Sequence, residues 1–262
     1  MNKASSFGNR PPAAKALLAL PEPDGIMGLM KLSTLLLVCG LGFGCVLEAE
    51  ELGPLLDKMA GAYGGRDRLE KLIAVRETGQ VTAATKVGNS GMVVRTFARP
   101  LKLRIEIGDP AHPAEVRVLD GTNGWRNGKS VTGPACDAMV LQAARLDLPF
   151  QLLAHKPKLV EKEPIEYHGQ RVRVVELPLE NDLSMTCGIA PDSGRILFSS
   201  GQTTGGPMGR MKFETSYDDF RTVDGLLFAF KETNLAGGTK TADTTISTIQ
   251  VLKTAPDDVF KP

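Results

Sequence analysis

The sequence predicts a mainly β protein with some α, built on one large antiparallel sheet that is open or partly rolled. Three observations carry this. Leu101, Leu103, Ile105 and Ile107 alternate with Lys102, Arg104 and Glu106, and a period of two sends the apolar set to one face of a strand and the charged set to the other. A strand half wet and half dry belongs to an antiparallel sheet. Turn signals then recur at Asn89-Ser90-Gly91, Asp120-Gly121, Asn127-Gly128, His168-Gly169, Asp192-Ser193-Gly194, Asp224-Gly225 and Gly237-Gly238, which divide the chain from Val75 to Val251 into short strands. The 28 glycines and 17 prolines are spread along the chain, as many turns require and a low-complexity linker does not.

Composition narrows the function classes. With 262 residues, 42% hydrophobic and 23% charged, the chain can bury one large core. A formal charge of +1 argues against a nucleic-acid partner, since phosphate binding calls for a basic excess or stripe.

The N-terminus is layered. Residues 1–29 are rich in Pro, Ala and Ser without usable periodicity and read as a disordered, non-native extension upstream of the true start. Residues 30–49 have the layout of an export signal: Met30, Lys31, then the apolar run LSTLLLVCGLGFGCVL, shorter than the ~20 residues of a membrane span. Gly40, Gly42 and Gly44 disfavour the alternative, a buried helix. Gly42-Phe43-Gly44 places small residues where a signal peptidase reads, while Gly44-Cys45 matches the end of a lipobox, in which Cys45 is lipidated and anchors the protein to a membrane. Both outcomes stay open. Removing residues 1–44 takes away Lys3, Arg10, Lys15, Lys31, Glu22 and Asp24, leaving 27 basic and 28 acidic residues from the 31 and 30 of the full chain.

Residues 50–262 then form a single domain. Gly53-Pro54 suits a helix start, and Leu55, Leu56, Met59 and Tyr63 recur at helical spacing until Gly64-Gly65 ends the helix. Leu69, Leu72 and Ile73 give a second, shorter helix. Arg99-Pro100 breaks the strand before it, because proline lacks the amide donor of a central ladder. Asp137 to Leu153 interrupts the strands: Met139, Val140, Ala143 and Ala144 share a helical face, and such a helix can lie across the concave side of a curved sheet. Gly201 to Gly209, GQTTGGPMG, lacks the Gly-Lys-Ser/Thr ending of a phosphate loop and reads as a hairpin tip.

Catalytic signals are scarce, and no enzyme, cofactor or metal is expected. His112, His155 and His168 lack zinc-type spacing, and no Gly-x-Ser-x-Gly elbow is present. Asp218-Asp219 and Asp257-Asp258 are neighbours that strand geometry would point to opposite faces. Cys136 and Cys187 either pair, in an oxidising compartment, or are two unrelated buried residues.

A strand ending in Arg99-Pro100, the strand Lys102 to Ile107, then VLDGTNGW, and LPFQLLAH after a helix resemble the LolA/LolB superfamily of periplasmic outer-membrane lipoprotein-sorting proteins, most strongly over residues 92–156. The resemblance implies an unclosed half-barrel with helices covering its concave face. It also implies an apolar cavity for acyl chains, with Phe97, Leu103, Ile105, Trp125, Met139, Phe150 and Leu153 as lipid-binding residues. Arg99 would latch the lid by bonding helix backbone near Met139 to Leu153. The implied partners are a lipid or acylated lipoprotein, with an inner-membrane transporter or an outer-membrane receptor, and the chain is expected to act in the periplasm as a monomer. The alternative is a periplasmic sensor or interaction module on the same scaffold, using a surface edge or loop such as Gly201 to Gly209.

Overall fold

A computed structural model describes residues 52–85, 88–205, 209–255 and 257–262; the N-terminal extension, the export signal and Cys45 lie outside the described residues. Two helices, α1 (Leu52–Ala62) and α2 (Arg66–Lys71), precede six strands: β1 (Ala74–Ala83), β2 (Gly91–Ala98), β3 (Lys102–Asp109), β4 (His112–Asp120), β5 (Asn123–Arg126) and β6 (Lys129–Val131). Helices α3 (Pro134–Leu146) and α4 (Leu148–Ala154) follow, then β7 (Val160–Tyr167), β8 (Gln170–Pro178), β9 (Ser184–Ile189), β10 (Ile196–Gln202), β11 (Lys212–Val223), β12 (Leu226–Ala236) and β13 (Thr239–Leu252).

All thirteen strands form one antiparallel sheet, in the order β6-β5-β4-β3-β2-β1-β13-β12-β11-β10-β9-β8-β7. Each strand pairs with its sequence neighbour except at two places. β1 pairs with β13, joining the two halves, and β6 and β7 are left as edges, so the sheet does not close. The sheet must nonetheless curl, because α3 packs against β3, β4 and β5 near one edge and against β9 and β10 near the other. Register shifts at Thr78/Gly79, Ile107/Gly108, Ile196/Phe198 and Asn234/Leu235 supply the bends that extra residues impose on a ladder. Gly79 has no alternative there, since a Cβ would stand 2.2 Å from the Thr245 carbonyl oxygen.

The turn chemistry is the one written in the sequence. Asn127-Gly128, His168-Gly169, Asp224-Gly225 and Gly237-Gly238 each have two successive positive φ angles, the requirement of a type I′ hairpin. In the β4–β5 hairpin the central residues are Gly121 and Thr122, one step later than Asp120-Gly121, and Gly121 alone has positive φ, at 63°. α1 starts before Gly53-Pro54, whose missing N–H falls among the unbonded donors of the first turn. The helix expected over Asp137–Leu146 begins three residues earlier, at Pro134, and ends at Leu146; the apolar cluster after it forms a further helix, with Pro149 in the first turn of α4, where it lacks only an orphan donor.

The helices and one face of the sheet share a single core, in which Leu56, Met59, Leu148, Leu152, Leu177 and Ile189 are fully buried. Tyr63 ties α1 to the sheet, its hydroxyl accepting the Ile196 N–H at 3.1 Å. On the outer face, a 3-10 turn at Asp257–Phe260 packs Phe260 against Ala74 and Ala98. Arg104 holds it by donating to the carbonyls of Val259 and Lys261. Cys136 and Cys187 are separate buried thiols, and burial pushes Cys187 up to about 12.

Candidate functional site

Between α3 and the inner face of the sheet lies a cavity of about 540 Å³. Helical spacing puts Ala138, Leu141, Gln142 and Arg145 of α3 on it, at positions i, i+3, i+4 and i+7. The facing strands contribute by alternation: Val93 and Arg95 from β2, Ile105 and Ile107 from β3, Glu115 and Arg117 from β4. Val81, Met185, Phe213 and Ala242 complete the apolar wall. The lining therefore mixes these apolar residues with charged groups and with hydroxyl and amide side chains such as Ser199, Thr215, Asn234 and Thr244.

The floor is a buried ion cluster that the sequence reading missed. Arg95 donates to Glu77, its direct cross-strand partner on β1, and through Nη1 and Nη2 to Glu232 on β12 at 3.1 and 2.8 Å. Arg145 of α3 donates to the same Glu232 at 3.2 Å. Burial alone would raise the Glu232 carboxyl, but Arg145 and Arg95 outweigh it and hold it at about 2. Two cations and two anions balance. Arg145 Nη1, also 3.2 Å from Glu232, is buried without an acceptor in hydrogen-bonding geometry. A smaller cavity of about 80 Å³ lies on the other side of this cluster, against α4, Tyr217 and Phe228.

A second polar group sits at the β4–β5 end. Glu115, 3% exposed, accepts from Arg117 Nε at 2.8 Å and Asn89 Nδ2 at 3.0 Å, and lies 2.8 Å from Arg126 Nη2. Arg117 Nη1 continues to Gln142 Oε1 on α3 at 3.2 Å. Despite desolvation, Arg117, Asn89 and Arg126 hold the Glu115 carboxyl below the usual carboxylate range. The β10–β11 hairpin, which contains Gly201 to Gly209, is tied to α3 where Thr204 N and Oγ1 donate to Asp137.

Arg99 stands where the helices meet. Its Nε and Nη2 donate to the two Asp147 oxygens at 2.8 and 2.6 Å, and its Nη1 donates to the Leu69 carbonyl at 2.7 Å. Its guanidinium lies 3.6 Å over the Phe150 ring. The backbone it meets thus belongs to α2, and the α3–α4 corner is reached through the Asp147 carboxylate, not through carbonyls between Met139 and Leu153.

The seven residues expected to bind lipid are scattered. Ile105 lines the large cavity. Phe97, Leu103 and Met139 are packed in the core, Leu153 lies at its margin, and Phe150 is covered by Arg99. Trp125 is a correction. Arg126 faces the cavity, so alternation turns its neighbour Trp125 to the outer face, opposite Val118 in the ladder. Among the described residues no group of three or more His, Cys, Asp or Glu side chains could hold a metal ion. No described helix is long and apolar enough to cross a membrane.

No family model and no curated protein matches the chain. Solved structures do share its fold. An outer membrane lipoprotein-sorting protein domain from Vibrio parahaemolyticus superimposes with a TM-score of 0.52 at 9% identity, over 78% of this chain and 94% of that one. A LolA superfamily protein from Nitrosomonas europaea gives 0.50 at 10% identity, over 79% and 96%. At such identities the likeness is one of fold alone, that of an open, unclosed antiparallel sheet.

Proposed function

We propose that this protein binds a lipid, or an acyl chain of a lipoprotein, between α3 and the curved sheet, and serves as a periplasmic carrier or receptor in outer-membrane lipoprotein sorting. The observation that carries the reading is the cavity of about 540 Å³ between α3 and the inner face of the sheet, open to solvent at the β4–β5 end. A scaffold of the same fold filled by its own side chains would leave no such space. Its wall of Val93, Ile105, Ile107, Leu141 and Phe213 suits a flexible chain, each buried methylene contributing ~0.8 kcal/mol. In this closed form Phe97, Leu103 and Met139 are out of reach of a ligand, and they would join the binding surface only if the helices lift. Arg99 is placed to govern that movement, since it holds α2 and the α3–α4 corner together.

Native mass spectrometry of protein taken from the periplasm tests the reading. A co-purifying lipid mass is expected; protein that remains ligand-free after incubation with total lipid extract would sink it. A sensor or interaction module is the second reading, and it draws on edge strand β7, where Val160 and Ile165 are 44% and 42% exposed.

A further inference from the structure

We propose that the cavity takes a single-chain amphiphile with an anionic head, a carboxylate or a phosphate, and seats that head at Arg117 and Arg126. This rests on the lipid-binding reading and narrows its ligand class. The charge count locates the head. At the floor, Arg95 and Arg145 are matched by Glu77 and Glu232, and an anion beside Arg145 would meet the Glu232 carboxylate. Glu214, also on the lining, is matched by Lys212 at 2.7 Å. At the β4–β5 end, one carboxylate, Glu115, serves two guanidiniums, so a positive charge is left over within the cavity.

That surplus is accessible and supplied with donors. The Arg117 and Arg126 side chains are 28% and 56% exposed, so a head can enter from solvent without crossing the core. Gln142 uses its carbonyl oxygen on Arg117, which leaves its amide N–H₂ without a partner among the described residues. Ile105, Ile107, Val93 and Leu141 line the same cavity, and an acyl tail running along them ends near the neutral floor. The volume sets the tail number. A water occupies ~30 Å³ in the liquid and a methylene is of similar size, so about 540 Å³ holds roughly eighteen heavy atoms, one long chain and its head.

Calorimetric titration of the full chain with laurate, dodecyl phosphate and dodecan-1-ol, all below their aggregation limits, tests this. One or both acids should bind about tenfold more tightly than the alcohol of equal chain length, and the acid that does so identifies the head as carboxylate or phosphate. Arg126→Gln alters a half-exposed side chain and should shrink the gap to about threefold with unchanged melting. Equal binding of all three would overturn the head-group assignment and leave lipid binding standing. A gap untouched by both Arg126→Gln and Arg117→Gln would overturn the site. Failure of all three to bind would overturn both readings.

Discussion

Glu232→Gln is the sharpest test of what holds α3 against the sheet. The carboxylate accepts two bonds from Arg95 and one from Arg145, and it is 4% exposed. The amide keeps one acceptor oxygen but removes the charge, leaving Arg95 with Glu77 alone and Arg145 with no anionic partner among the described residues. The pKa gives the scale: a carboxyl held at about 2 in the folded protein, against an ordinary 4.5, corresponds to roughly 3 kcal/mol at neutral pH. Breaking buried pairs by removing one partner falls in the same range, about 3–5 kcal/mol. For a domain of this size that is a fall in Tm of roughly 6–12 °C. The sign follows from the depressed folded pKa. The contribution is fully present above pH 4.5 and is lost as pH falls toward 2, so at pH 3 it should be less than half as large. Urea unfolding of both proteins at pH 7 and pH 3 reads the difference directly. A loss below about 1 kcal/mol at pH 7, or one that is the same at both pH values, would refute the reasoning.

Two other outcomes can be checked. Arg99→Leu should cost about 3 kcal/mol by stranding buried Asp147, and a paired Arg99→Leu, Asp147→Leu variant should recover most of that while both variants transfer a fluorescent fatty acid to vesicles at an altered rate. Wild-type transfer rates in both would reduce Arg99 to a structural clamp. Cell fractionation should find the protein outside the cytoplasm and shortened near residues 44–49, with Cys45→Ser moving it out of the membrane fraction if Cys45 is acylated; mature protein retaining Lys31 would remove the export reading.

The elements were legible where local chemistry decides them. Leu103, Ile105 and Ile107 face the core because strand alternation leaves no choice, and Asn127-Gly128 turns because few other pairs tolerate two positive φ angles. The site was less so, since it depends on which strands meet. Glu77, Arg95 and Glu232 each occupy the apolar phase of their strand, between Val75 and Val81, Val93 and Phe97, and after Phe230. A charge in that phase is a signal that could have been read. Its partners could not: Arg95 and Glu232 are 137 positions apart. Arg99 was singled out by its place before Pro100, but its counterion on a helix corner 48 residues on is fixed by packing, which no short motif encodes. Trp125 shows the converse error, in which residue type suggested a ligand contact and strand parity decided against it.

The β1–β13 seam has a consequence for how the chain is made. Every other strand pairs with a neighbour adjacent in sequence, so both halves can assemble as they emerge, while β1 waits for the last strand to be synthesised. Until then its outer ladder of N–H and C=O groups is an open template for foreign strands. Arg95 and Glu77 lie beside that gap, and the carboxylate that completes their cluster arrives with β12. An intruding strand would cover the edge but bring no Glu232, leaving the Arg95 guanidinium half-matched in a dry site. The cluster is thus complete only when β1 is paired with the chain's own C-terminal hairpin, because Glu232 comes from β12.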